Sequence, residues 1–213
     1  MLKHGPGPAE AAMLRWCDGV GMVRLLAEEP DLLILEELTP GTPLAELEDE
    51  SALRLAAGVM RTFWRPPPPD GFPSLHDWAR GFSRVRLESD RAEGIYRELL
   101  ASQAEPVLLH GDLHQQNILW SQERGWLAID PQGVVGEPAY EVGALLRNPR
   151  ERVLRLDLHR RIAVLAEELG FERERLRGWA YAQAMLAACW SLEDQDGEEQ
   201  LWLAVAERFQ RNG

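Results

Sequence analysis

Apolar and polar positions follow two rhythms along the chain. Met22-Val23-Arg24-Leu25-Leu26 and Leu32-Leu33-Ile34-Leu35 are short apolar runs separated by Pro30-Asp31, the pattern of an antiparallel hairpin of strands. Ahead of them, residues 8–17 read as a short helix that stops before Asp18-Gly19. Behind them comes Thr39-Pro40-Gly41-Thr42-Pro43, where Pro and Gly break both periodicities and predict a linker. From Leu44 the rhythm is helical. Leu53, Ala56, Met60 and Phe63 recur at i, i+3, i+7, and Ser51 is the expected N-cap. Pro66-Pro67-Pro68-Pro69 stops that helix and reads as a rigid, extended connector without backbone donors.

Further helical stretches are predicted over Leu75–Leu87 and Arg91–Ser102. Asn117–Trp120 and Trp126–Asp130, flanking the polar Ser121–Gly125, predict a second hairpin. Leu154, Leu158, Ile162, Leu165 and Leu169 then form one apolar stripe, closed by Gly170 as a C-cap. Trp179, Leu186 and Trp190 form another, and Leu201, Trp202, Val205 and Phe209 a last one. The expected class is α+β: a strand-containing start, a linker, and a mostly helical body with one inserted hairpin.

Composition narrows the function classes. The chain has 213 residues, 45% of them hydrophobic and 27% charged, which excludes a disordered, collagenous or disulfide-scaffold protein. Its 23 basic and 35 acidic residues leave a net charge of −12. That balance argues against nucleic acid and anionic membranes as partners, and weakly favours a cationic small molecule. No protein partner is indicated. Cys17 and Cys189 make no metal-ligand pair and sit among apolar residues, as buried free thiols do. With neither a signal-peptide core at Met1–Pro6 nor a bilayer-length apolar run, the expected location is the cytoplasm.

The chemistry concentrates in Val107–Leu119, which reads V-L-L-H-G-D-L-H-Q-Q-N-I-L. Asp112 is followed five positions later by Asn117, and Asp130 closes the next apolar strand. This is the order of the H-R-D-x-x-x-x-N and D-F-G motifs of protein kinases. Phosphoryl transfer needs a carboxylate to orient and deprotonate the attacking hydroxyl, and oxygen ligands for Mg²⁺ on the phosphates. Asp112 is the candidate base, with Asn117 and Asp130 as candidate magnesium ligands.

The form His110-Gly111-Asp112-Leu113-His114-x-x-Asn117 resembles the aminoglycoside phosphotransferase superfamily, which includes choline and fructosamine kinases. Leu14–Leu26, Leu35–Gly41, Gly136–Val142 and Trp190–Asp194 make the chain similar to the branch of streptomycin 6-kinases and aminoglycoside/hydroxyurea resistance kinases. The resemblance covers essentially the whole chain. It implies a protein-kinase-like bilobal fold with ATP between the lobes: residues 1–38 as an incomplete small lobe and hinge, and 39–213 as the helical catalytic lobe. The Glu36 carbonyl and Leu38 amide would meet the adenine edge. Lys3 would hold the α and β phosphates, with Glu10 as its partner.

In that alignment the first two strands and the phosphate-covering loop would lie ahead of Met1, and the chain carries no G-x-G-x-x-G. A start further upstream, a decayed copy, and a one-and-a-half-lobe variant are the three explanations, the first preferred. For the chain as given, weak ATP binding and a reduced rate are expected.

The implied reaction is ATP- and Mg²⁺-dependent phosphorylation of a hydroxyl on a small cationic molecule such as streptomycin. Glu137, Glu141 and Asp194 are the candidate acceptor-binding carboxylates. A non-catalytic remnant and a kinase for a metabolite such as choline or a sugar amine are the rival readings.

Overall fold

The structure, a computed structural model, describes residues 1–7 and 9–210. Pro8, inside the helix predicted over residues 8–17, lies outside the described residues. Helix α1 spans Glu10–Cys17 and sends Met13, Leu14 and Cys17 into the core.

Strands β1 (Leu2–His4), β2 (Leu25–Glu29) and β3 (Leu32–Leu35) form an antiparallel sheet of order β1-β3-β2. The predicted hairpin exists, but its first strand begins three residues later than the apolar run. Met22 and Val23 are both fully buried, which neighbouring residues of a half-exposed strand cannot be. They dock instead on the second hairpin, where the Val23 amide donates to the Ala128 carbonyl at 2.9 Å.

The segment predicted as a linker is partly a strand. Residues Pro40–Pro43 form β4, which pairs with β6 (Ile118–Ser121), itself paired with β7 (Gly125–Ala128). Proline is tolerated because β4 is an edge strand of the order β4-β6-β7. Two three-residue strands that the apolar pattern did not predict, β5 (Val107–Leu109) and β8 (Val134–Gly136), pair antiparallel and frame the chemistry-bearing loop.

Helix α2 (Asp49–Phe63) buries Leu53, Ala56, Met60 and Phe63 as expected. Its N-cap is Glu48, not Ser51: the carboxylate accepts the amides of Glu50 at 3.1 Å and Ser51 at 3.0 Å, so the helix starts before the expected cap. The predicted helix over Leu75–Leu87 is broken into α3 (Leu75–Trp78) and a 3-10 turn over Ala79–Ser83. Gly81 lets that turn lie against the helix that carries Trp190, since a β-carbon there would come within 2.6 Å of the Trp190 indole nitrogen.

Helices α4 (Asp90–Ala101), α5 (Val142–Leu146), α6 (Leu158–Leu169), α7 (Arg173–Asp194) and α8 (Glu199–Gln210) make up the rest of the body. Gly170 ends α6 at φ 74°. Leu154 lies outside that stripe, 46% exposed in a separate turn. Helix α7 is more than an apolar stripe: every residue from Trp179 to Cys189 is buried, and α4, α5, α6 and α8 pack around it. Cys17 and Cys189 are buried and free. Among the described residues no helix is long and apolar enough to cross a membrane.

Candidate active site

The loop from His110 to Asn117 leaves β5 and is pinned from beneath. The Glu141 carboxylate, 1% exposed, accepts the amides of His110 at 2.7 Å and Gly111 at 2.9 Å. Burial pushes its pKa up to about 7, against the downward pull of those two amides. Gly111 sits at φ +87°, where a β-carbon would approach the Trp78 ring at 2.7 Å, so only glycine fits without displacement.

His110 carries the loop's second tie. Its Nε2 lies 2.8 Å from the Ile129 carbonyl, which can only accept, so Nε2 bears the proton and Nδ1 receives the Asp112 amide at 3.3 Å. Burial lowers the pKa of this ring to about 4, which keeps it neutral and the tautomer fixed.

The backbone brings the three predicted residues together. Asn117 Nδ2 donates to the Asp112 carbonyl at 3.0 Å, leaving Oδ1 as the acceptor end of that amide. The Ile129 amide donates to the Asn117 carbonyl at 2.9 Å, which sets Asp130 beside the same loop. Asp130 itself adopts φ +60°, a left-handed conformation that costs roughly 1–2 kcal/mol in a non-glycine residue. An amide oxygen and a carboxylate are hard donors that suit Mg²⁺, an ion that takes one or two protein oxygens and fills the rest of its shell with water and phosphate. The donor set therefore fits the metal expected here.

Lys3 and Glu10 also converge on this place. Lys3 Nζ lies 2.7 Å from Glu10 Oε2 and also pairs with Asp130. Burial acts to lower the Lys3 pKa, but the hydrogen bonds of Asp130 and Glu10 outweigh it and raise the value. Glu36 follows the end of β3; its amide donates to the Arg24 carbonyl at 3.0 Å and its carboxylate pairs with Arg124. Leu38 packs partly buried against the core.

A cavity of about 470 Å³ opens in front of Asp112, walled by Asp77, Trp78, Arg84 and Trp190. A neighbouring compartment of about 310 Å³ shares Asp112, Arg147 and Trp190 with it and is lined by Asp194. Glu137 and Glu141 line neither compartment. Glu137 is 1% exposed and pairs with Arg175 at 2.7 Å and with the Trp179 indole, while Glu141 grips the loop from inside. Both carboxylates are spent on internal donors, so only Asp194 of the three faces the space where an acceptor would sit.

Sequence reasoning missed two residues at this site. Arg147, just beyond α5, donates from Nη2 to Asp112 Oδ1 at 3.0 Å and from Nη1 to Gln183 Oε1 at 3.1 Å. The available signal was a polar residue breaking an apolar run, in Ala144-Leu145-Leu146-Arg147 and in Ala182-Gln183-Ala184.

The family model described as aminoglycoside/hydroxyurea antibiotic resistance kinase matches residues 7–195. Streptomycin 3''-kinase of Klebsiella pneumoniae is 34% identical over 91% of this chain and 80% of its own length. Streptomycin 6-kinase of Streptomyces glaucescens is 32% identical over 85% of this chain, which spans just under two thirds (66%) of that relative. Among solved structures, a choline/ethanolamine kinase family protein from Mesorhizobium loti superposes with a TM-score of 0.72 at 14% identity, covering 99% of this chain and 82% of that one. The fold is therefore the kinase-like one expected.

Proposed function

The chain belongs to the aminoglycoside/hydroxyurea antibiotic resistance kinase family, and from that we propose that it transfers the γ-phosphoryl group of ATP to a hydroxyl of streptomycin or a similar cationic aminoglycoside. The observation that carries the reading is the gathering of Asp112, Asn117 and Asp130 by hydrogen bonds of the loop and hairpin beside the Lys3–Glu10 pair, at the mouth of a cavity walled by Trp78, Trp190, Asp77 and Arg84.

Asp112 orients the acceptor hydroxyl and takes its proton as the oxygen bonds to the γ-phosphorus. The bond from that phosphorus to the β–γ bridging oxygen breaks, and ADP leaves. Asn117 and Asp130 would hold Mg²⁺, which when bound neutralises charge on the phosphates. Lys3, oriented by Glu10, is the residue for the α and β phosphates, and the Glu36 and Leu38 backbone lies where the adenine edge is expected. Trp78 and Trp190 offer ring faces, and Asp77 and Asp194 negative charge, to an ammonium or guanidinium group. In the same reading residues 1–38 act as small lobe and hinge, and 39–213 as the catalytic lobe.

The test is phosphate transfer from Mg-ATP to a panel of streptomycin, other aminoglycosides, hydroxyurea and choline. Mass spectrometry of the product locates the modified hydroxyl. Streptomycin phosphorylation that falls roughly 100- to 10,000-fold in Asp112→Asn is the expected result. Transfer to choline alone favours the metabolite-kinase reading, and transfer to no member counts against the proposal.

A further inference from the structure

We infer that Arg147 is a positioning residue for Asp112: it holds Oδ1, so that Oδ2 is the oxygen that receives the acceptor's proton. The inference rests on the phosphotransfer reading above and specifies which atom of the base acts.

A carboxylate on a loop can rotate about its terminal torsion and offer either oxygen. Here one oxygen is engaged. Arg147 donates to Oδ1 at 3.0 Å, while His114 Nε2 stands 3.7 Å from Oδ2, beyond hydrogen-bond reach, which leaves Oδ2 for the acceptor.

The guanidinium is itself fixed. Its side chain is only 11% exposed, and its other terminal nitrogen donates to Gln183 Oε1. Gln183 in turn donates from Nε2 to the Tyr140 carbonyl at 2.6 Å. Gly143 gives Gln183 its place, since a β-carbon there would come within 2.3 Å of the amide. The carbonyls of Leu145 and Leu146, just before Arg147, are capped by the buried Arg161 at 3.1 and 2.9 Å. Helices α5, α6 and α7 thus converge on one carboxylate oxygen. An arginine that served only to fill space would need neither the planar two-ended contact nor a partner buried on α7.

The informative variants are Arg147→Ala and Gln183→Leu. Both are assayed for streptomycin phosphorylation and for acceptor-free ATP hydrolysis, in which water takes the acceptor's place. Arg147→Ala is expected to lower kcat roughly 10- to 100-fold in both assays, with the KM for ATP unchanged. Low millimolar guanidinium chloride recovers part of the loss, and equal sodium chloride does not. Gln183→Leu shifts kcat in the same direction by less.

An unchanged kcat, a loss expressed only in the KM for ATP, or a folded Arg147→Ala protein indifferent to guanidinium overturns the inference. If Arg147→Ala fails to fold, the Gln183→Leu kcat decides. If the wild-type protein phosphorylates no aminoglycoside, the acceptor reading fails, while the hydrolysis assay still reads the effect of Arg147.

Discussion

Replacing Glu141 by Gln isolates the charge beneath the His110–Asn117 loop. The carboxylate is buried without a cation and accepts two backbone amides. Its pKa stands at about 7 in the fold, against 4.5 for an unperturbed glutamate. The native state therefore binds this proton more tightly than the unfolded chain. The resulting stabilisation is fully present below pH 4.5 and is lost as the pH rises through about 7. Across that window it amounts to about 3 kcal/mol, most of it between pH 5 and 8. Glutamine keeps the shape and one acceptor but cannot titrate. It also turns an NH₂ toward an amide N–H, a penalty of roughly 1–3 kcal/mol that does not vary with pH. Urea unfolding of parent and variant at pH 5 and pH 8 separates the two contributions, because every other titrating group cancels in the comparison. The variant should gain on the parent as pH rises, by about 2–3 kcal/mol. A difference between the two proteins that is the same at both pH values would refute the reasoning.

Three other substitutions probe the site directly. Gly111→Ala forces a β-carbon to φ +87° and onto the Trp78 ring, and should cost roughly 2–5 kcal/mol of stability in urea titrations together with most of the turnover. Asp130→Asn should raise the Mg²⁺ concentration needed for half-maximal rate by about tenfold or more, read from a metal titration at saturating ATP. Trp190→Ala removes a wall shared by both compartments and should raise the KM for streptomycin by about 2- to 30-fold while leaving that for ATP unchanged, as steady-state kinetics will show.

Asp112, Asn117 and Asp130 were legible as a group because what joins them is local and largely backbone: a five-residue loop and the hairpin that follows it. Amphipathic helices such as α2 were legible for a similar reason, since their period is written in neighbouring residues. The strand β4 was not, because Pro40, Gly41 and Pro43 look like breakers and only its place at a sheet edge excuses them. Met22 and Val23 misled because a short buried run carries no mark of what it packs against. Glu137 and Glu141 lie close to Asp130 in sequence, yet a carboxylate reads the same whether it faces a cavity or a buried pair of amides. Arg147 follows Asp112 by 35 residues, and their pairing depends on how α5 and α7 pack, which no local pattern records.

Part of the cavity wall comes from segments of the chain other than those that carry Asp112, Asn117 and Asp130. Asp77, Trp78 and Arg84 stand on and beyond α3, and Trp190 and Asp194 at the end of α7, whereas Asp112, Asn117 and Asp130 belong to a loop and hairpin tied by the Asn117 amide and by the Ile129–Asn117 backbone bond. Changes in the walls leave the hydrogen bonds that assemble the reacting groups intact. On the proposed reading, substitutions at Asp77, Trp78, Trp190 and Asp194 can therefore move such a scaffold from one acceptor to another while those hydrogen bonds stay in place.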